Sequence, residues 1–544
     1  MDFGGAMLPI VVDIIFSWGR MLIALAASML LGLAIGIYAA RSKKADKIII
    51  PIVDILQTLP ILAFFPFVIL IIVASIPSAI GINIGVIFLI ITGMLWNIIF
   101  GVYESVKALP EELVEVSKIY QMSKLERLKK IYLPASMPKA VEQSILSWSI
   151  GLFYLVTSEI FSSGSKNYVV HHGIGVALTA FAAAGNYTSY AIGIVLFIAA
   201  VIITRFALFM PMEHYFNRYS QQSAPRSKVA EALRSIDVGY RLTRFNKFVH
   251  HLHMPHMHLE LHHRKRRQRP RHLHVMMAIE EHPTARRVVY AVIALLVAVL
   301  LGALALTHQG LLSYEYVVIV SLFASFARVW IAFAAGLAVA VPIGVYLIFL
   351  TKRSGWYLLL FQILSALPAT ILLPVIAFSL KNTPWHNEIV AFAIFFLSGL
   401  WYLVFSVVSN RVYIPPSVME VKQIFGVTGK SAWKNIYLKA IIPGLITGSV
   451  TAIAAEWNAS IVAERFTTTA IGNGQVISAV NVGIGKLLDL ALNAGSAPLT
   501  VMGVTLNSGS TLMIIGLLNL TIMIILINRF VWKRFYRNAL SAYK

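Results

Sequence analysis

Long apolar stretches separated by short polar ones run through nearly the whole chain. An α-helix needs about 20 apolar residues to cross the hydrocarbon core of a bilayer. Such stretches fall near 20–40, 48–75, 84–105, 138–160, 187–211, 288–307, 321–350, 356–380, 388–410, 440–462 and 510–531. The pattern predicts an all-α polytopic membrane protein with about 11 transmembrane helices. A shorter apolar run at 7–17 carries Asp13 and is expected to lie along the membrane surface.

Composition agrees. The 544 residues are 58% hydrophobic and only 12% charged. The mean hydropathy is +0.78, far too apolar for a soluble chain of this length. The formal charge of +22 is concentrated in loops, as the positive-inside bias requires of cytoplasmic segments, so nucleic acid is not the expected partner. The clusters Arg41–Lys44, Thr351–Arg353 and Trp532–Arg537, together with the polar gap 213–287, all fall on one side of an 11-span topology. The N-terminus is then outside, and the C-terminus and the gap are cytoplasmic. Cysteine is absent, which excludes disulfides, thiolate metal sites and cysteine catalysis. The opening residues, with Asp2 and no basic cluster, do not read as a cleaved signal peptide.

Duplication is the strongest signal. "DILQTLPILAFFP" (54–66) matches "QILSALPATILLP" (362–374), with Pro60 and Pro66 on Pro368 and Pro374 (368 − 60 = 308). Further on, "LPEELVEVSKIY" (109–120) matches "IPPSVMEVKQIF" (414–425), and "TSEIF" (157–161) matches "VAERF" (462–466). The offset there is 305 (420 − 115 = 305). Six predicted spans separate equivalent points, so the copies run in parallel. The chain divides into a first half at 1–212, a basic His-rich linker at 213–287, and a second half at 288–544 with one extra leading helix.

The best-matched segment lies on the cytoplasmic side in both copies. Leu113, Val116, Ile119 and Tyr120, and in the second copy Val418, Val421, Ile424 and Phe425, recur at helical spacing. Each half should carry an amphipathic helix, a break, and a second short helix outside the membrane. Such helices lie on lipid headgroups or dock in a partner's groove; the duplication favours two equivalent partners.

This pattern resembles the cytoplasmic "EAA" coupling loop of ABC-importer permeases. In this chain it runs from Glu115 through Gln121 and Ser123 to Leu133-Pro134, and from Glu420 through Gly426, Thr428 and Gly429 to Leu438-Lys439. Gln121 stands where the family has Gly, and Lys439 where it has Pro. "LPILAFFP", "LPATILLP" and the glutamates Glu159 and Glu464, each followed by an Ile-Gly (Ile174-Gly175, Ile471-Gly472), resemble the nitrate/sulfonate/taurine branch. The resemblance implies the type I importer fold with two permease domains fused in one chain. It implies two copies of an ABC ATPase subunit inside, an extracytoplasmic substrate-binding protein, and residence in a prokaryotic plasma membrane. It implies no cofactor in this chain, with ATP and Mg held by the ATPases, and a small anion as cargo, such as nitrate, a sulfonate or bicarbonate.

Polar groups inside spans are candidates for the translocation path or its gate: Gln57, Thr58, Ser365, Glu456, Trp457 and Asn458, with the helix-breaking Pro60 and Pro368. They contact substrate or simply bond between helices. Glu159 and Glu464 line the outer gate, or Glu464 pairs with its neighbour Arg465 or the loop backbone. The linker's His251, His253, His256 and His258 are metal-ligand types without the spacing of a closed site; a basic segment on anionic lipid is the plainer reading. A metal importer or sensor built on this linker, or an ion-coupled transporter of two parallel halves, are the rival functions.

One motif needs excluding. "GVTGKS" (426–431) looks like a phosphate loop, but that loop requires Gly five residues before Gly429, where Ile424 stands. An amphipathic helix precedes it, not a buried strand. The chain is expected to have no ATPase site of its own.

Overall fold

The computed structural model describes residues 3–58, 79–163, 170–217, 311–350, 366–409, 424–468 and 475–527, with a few isolated positions. In the first half these form α1 (Phe3–Arg41), α2 (Lys43–Thr58), α3 (Ala79–Lys107), α4 (Glu111–Ile119) and α5 (Lys124–Arg127). They continue with α6 (Leu133–Ser163), α7 (Ile174–Ala183), α8 (Tyr187–Thr204) and α9 (Met210–Asn217). The second half adds α10 (Leu311–Val345), α11 (Leu373–Ser379), α12 (His386–Ser409), α13 (Gly429–Ala432), α14 (Leu438–Glu464), α15 (Ile484–Ala494) and α16 (Gly509–Ile527).

Six described helices are long and apolar enough to cross a membrane, or seven if the bent pair Gly429–Ile442 and Gly444–Ser460 is one span. Spans read from the sequence at 48–75, 288–307 and 356–380 fall wholly or partly outside the described residues. The linker from 218 onward, with His251, His253, His256 and His258, also lies outside them.

The same three-helix core is built twice. In the first half α3 packs between α1 and α6; in the second α12 packs between α10 and α14. Apolar residues on several faces suit helices surrounded by lipid or by one another. The halves meet where Thr157 on α6 donates to Thr370 Oγ1 (3.2 Å) and the Tyr190 hydroxyl donates to the Ile371 carbonyl. At the same place α7 packs on α11.

Two expectations change. Residues 7–17 do not form a separate surface helix; they continue straight into α1. Asp13 does not interrupt it because its carboxylate is met by His172 Nδ1 at 3.1 Å. The second half is also not purely helical. β1 (Arg465–Thr468) pairs antiparallel with β2 (Gln475–Ala479), and β3 (Leu499–Val501) with β4 (Val504–Leu506). The β3–β4 link is Met502-Gly503, both left-handed at φ 53° and 77°, the backbone that matches a hairpin's twist.

Candidate functional site

The coupling segment begins as a short helix ending in a left-handed turn. α4 stops at Ile119; Gln121 N–H bonds the Lys118 carbonyl (2.9 Å) and Met122 N–H bonds the Ser117 carbonyl (3.0 Å). This is a Schellman closure, which needs a left-handed residue after the cap. Gln121 takes that conformation at φ 49°, and Gly426 takes it in the second copy at φ 57°. Glycine does this freely; a residue with a Cβ is strained by about 1–2 kcal/mol.

The chain then turns into a long helix, not a separate short one. α5 passes through a π-turn at Leu128–Tyr132 into α6, and α13 passes through a π-turn at Trp433–Tyr437 into α14. The two π-turns sit 305 residues apart (433 − 128 = 305), at the repeat offset. The copies differ at the entry. Ser123 accepts from Glu126 N–H (3.2 Å) while the Glu126 carboxylate accepts from Ser123 N–H (2.9 Å), a reciprocal cap. The Ser123 backbone and side chain, with Lys130, hold the Glu126 carboxyl below its usual range. Thr428 makes no side-chain cap bond, and Ser431 stands where the first copy has Glu126. We therefore expect Ser123→Ala to cost roughly 0.5–2 kcal/mol of local stability. Hydrogen exchange at Lys124–Arg127 should accelerate, while Thr428→Ala should leave its own helix start unchanged.

The apolar face of α4 splits. Leu113 and Met122 pack inward on the cluster around Ile131 and Tyr132. Ile119 and Tyr120 point out at 76% and 77% exposure, and Ile424 and Phe425 at 76% and 73%. Glu115 is exposed beside this face; Glu420 lies outside the described residues. Large apolar side chains left this bare at matching places suit a partner's groove.

At the opposite end of each half sits a buried ion pair that the sequence reading only half anticipated. Glu159 is 0% exposed and accepts from Arg20 Nη1 (2.7 Å), Ser17 Oγ (2.7 Å) and Gly175 N–H (2.8 Å). Ser17 Oγ in turn accepts from Ile174 N–H (3.0 Å), and Arg20 Nη2 donates to the His172 carbonyl (2.6 Å). The second half repeats every contact. Glu464, also 0% exposed, accepts from Arg328 Nη1 (3.2 Å), Ser325 Oγ (2.6 Å) and Gly485 N–H (2.7 Å). Ser325 Oγ accepts from Ile484 N–H (2.8 Å), and Arg328 Nη1 donates to the Val482 carbonyl (2.7 Å). A Cβ on Gly173 or Gly483 would lie 2.5 Å from the glutamate carboxyl carbon in either half, so only glycine leaves room for the carboxylate.

These contacts correct two expectations. Glu464 pairs with Arg328, not with its neighbour Arg465, which instead pairs with Asp489. The counterpart of Ile174-Gly175 is Ile484-Gly485, not Ile471-Gly472, which lies outside the described residues. The arginines and serines were missed, yet they carried a signal. Ser17-x-x-Arg20 and Ser325-x-x-Arg328 recur inside apolar spans at the same 308-residue offset as the prolines (328 − 20 = 308). A charge inside a span is costly and seldom without a partner.

The other candidates scatter. Gln57 is half-buried with no partner on Oε1. Thr58 ends α2, and Pro60 and Ser365 lie outside the described residues. Pro368 is buried at the start of a short 3₁₀ turn, Ala369–Ile371. Asn458 donates to the Ala454 carbonyl (2.9 Å) on its own helix, and Trp457 is buried with its indole N–H unbonded. Glu456 is buried against Gly399 of α12, inside its own half, with neither oxygen hydrogen-bonded. Among the described residues, these side chains are not gathered into one lined channel.

The described residues thus form a twice-built helical core of membrane-spanning length, with two buried Arg–Glu clusters at one end and two exposed turns at the other. Residues 32–216 match the family described as "Binding-protein-dependent transport system inner membrane component". The match lies in the first half of the chain, and the curated relatives it resembles are permease proteins of transport systems. The chain is 28% identical over 204 residues to the glycine betaine/proline betaine transport system permease protein ProW of Escherichia coli (strain K12), covering 36% of this chain and 53% of that one. It is 25% identical over 163 residues to the nitrate import permease protein NrtB of Synechocystis sp. (strain ATCC 27184 / PCC 6803 / Kazusa), covering 30% and 57%. It is 25% identical over 212 residues to the bicarbonate transport system permease protein CmpB of Synechococcus elongatus (strain ATCC 33912 / PCC 7942 / FACHB-805), covering 39% and 71%. The chain spans about half the length of the first of these relatives. No solved structure matches.

Proposed function

We propose that the chain is the membrane-spanning subunit of an ATP-driven importer and that its two halves are two permease domains fused. The observation that carries this is the paired coupling turn. Gln121 and Gly426 share one left-handed conformation, each beside bare apolar side chains and ahead of a π-turn. Each turn docks one copy of an ABC ATPase on the cytoplasmic side, and this chain hydrolyses nothing itself. Closing of the ATPases drives α6 and α14, which lead from the turns to the buried clusters at the far end, α14 with a 55° bend on the way. Glu159 and Glu464 hold those far ends rigid, so motion at the turns reaches the outer mouth, where a substrate-binding protein delivers cargo. The path runs between the halves in a prokaryotic plasma membrane.

The cargo is a small anion of the nitrate, bicarbonate or sulfonate kind. NrtB and CmpB, and the putative aliphatic sulfonates transport permease protein SsuC of Bacillus subtilis (strain 168), support this. The test is affinity purification of the tagged chain from its native membrane, followed by uptake in vesicles. A P-loop ATPase should co-purify, and uptake of a labelled anion should require ATP. Recovery without any ATPase, or anion uptake driven by an ion gradient alone, would reject the reading; uptake of glycine betaine instead would correct only the cargo.

A further inference from the structure

The two halves are alike at the buried clusters and unlike at the seam between them. Thr157 on α6 stands two residues before Glu159, so the seam lies beside the first cluster. Its hydroxyl donates to Thr370 Oγ1 of the opposite half (3.2 Å). Both side chains are buried, Thr157 at 1% and Thr370 at 0% exposure. The Tyr190 hydroxyl, on the first turn of α8, donates to the Ile371 carbonyl of the opposite half. Both bonds end on one short 3₁₀ turn, Ala369–Ile371.

That turn is a joint in the second half. Pro368 opens it with extended backbone, φ −68° and ψ 133°, through which no helix can run. Ile371 N–H then bonds the Pro368 carbonyl (2.9 Å) and Leu372 N–H the Ala369 carbonyl (3.1 Å), and α11 begins. Irregular backbone inside an apolar bundle persists only where protein covers it or water reaches it. Here the first half helps to cover it: α6 packs on the turn, and α7 packs on α11.

The repeat shows what stands at the matching places. Thr157 corresponds to Val462 (157 + 305 = 462), and Thr370 to Leu62 (370 − 308 = 62). Asn186 and Ser508 each accept, through the side chain, from the N–H three residues on (3.1 and 3.4 Å). Tyr190 lies four residues after the first of these caps, and Leu512 four after the second. All three hydroxyls therefore serve one pairing of half against turn, and all three are replaced by apolar side chains in the other. A single buried hydroxyl is commonly just a bond between helices. Three that are present together and replaced together mark one device. Its bonds are neutral, so they break and remake far more readily than the buried ion pairs nearby.

We propose that the Pro368 turn is the moving outer gate of the transport path, clasped shut from the opposite half by Thr157 and Tyr190, and that the Pro60 segment has no such clasp. The proposal rests on the reading of the chain as a two-half importer. Opening then begins at one turn, not at both, although the halves are otherwise built alike.

The chain contains no cysteine, so a cysteine pair reports on this contact alone. Thr157→Cys with Thr370→Cys puts two sulfurs where hydroxyl oxygens stand 3.2 Å apart, within reach of a disulfide. The assembled complex carrying this pair is oxidised with copper phenanthroline in proteoliposomes, and the bond is detected by mass spectrometry. Oxidation should cut ATP-driven nitrate uptake about tenfold or more relative to the same sample reduced with dithiothreitol, because a locked gate stops the cycle. A disulfide that leaves uptake unchanged, or no disulfide at all, overturns the gate. A second measurement needs no uptake. In the full chain in lipid nanodiscs, Thr370→Cys should react slowly with a charged methanethiosulfonate. Adding Tyr190→Phe should speed that reaction about tenfold, the effect of losing one hydrogen bond. An equal rate overturns the clasp. If the unmodified chain takes up no nitrate with ATP, the importer reading fails, and the reaction rates still decide whether Tyr190 holds the turn.

Discussion

Replacing Arg20 with methionine should destabilise the first half by about 3–5 kcal/mol, the cost of leaving a buried charge without its partner. Arg20 and Glu159 are only 6% and 0% exposed. Methionine fills much of the volume but restores none of the bonds to Glu159, Asn83 and His172. The glutamate would keep its bonds from Ser17 Oγ and Gly175 N–H but lose its charged partner. Adding Glu159→Gln should recover part of the loss, because the remaining donors can bond a neutral amide. Arg328→Met should cost less. Its contact with Glu464 is longer, 3.2 against 2.7 Å, and half of its work is a bidentate pair with the 39%-exposed Glu388. Solvent-exposed pairs contribute little. Thermal melting of the purified chain decides; a loss under about 1 kcal/mol for Arg20→Met would show that this cluster does not hold the end together.

The second large effect is functional. Gly426→Val should abolish coupling while leaving the helices folded. The position is left-handed at φ 57°, with open space around it, so the obstacle is backbone conformation and not a clash. A β-branched residue is among the worst tolerated there. A penalty of about 1.4 kcal/mol already shifts an equilibrium tenfold. We therefore expect uptake to fall about tenfold or more while ATP hydrolysis by the assembled complex continues. Gln121→Gly should do the opposite. It relieves strain at φ 49° and should leave uptake at or above the starting level. Parallel assays of hydrolysis and uptake in proteoliposomes check both; unchanged uptake in Gly426→Val would remove this turn from the mechanism.

Much of this was legible in the sequence because it was written twice. The coupling turn was found from Glu115 and Glu420 with helical spacing around them, while the left-handed backbone shared by Gln121 and Gly426 came from the structure. The continuous helix from Lys124 to Ser163 was not, because the π-turn at Leu128–Tyr132 shifts the apolar stripe and makes one helix look like two. The glutamates were singled out as charges in apolar segments, but their partners lie more than 130 residues away, beyond the reach of local pattern. Arg465, adjacent in sequence, was the tempting wrong choice for Glu464. The strand that begins at Arg465 turns that side chain toward α15 instead. The hairpin Leu499–Leu506 was legible in principle, as two short runs around Met502-Gly503, in the stretch between the predicted spans 440–462 and 510–531.

The central claim is that one copy of this chain supplies both permease halves and both docking turns. Native mass spectrometry of the complex extracted from its own membrane tests it most directly. The account predicts a particle with a single copy of this chain and two ATPase subunits. A particle with two copies of this chain around two ATPases, or one that never carries an ATPase, would contradict it.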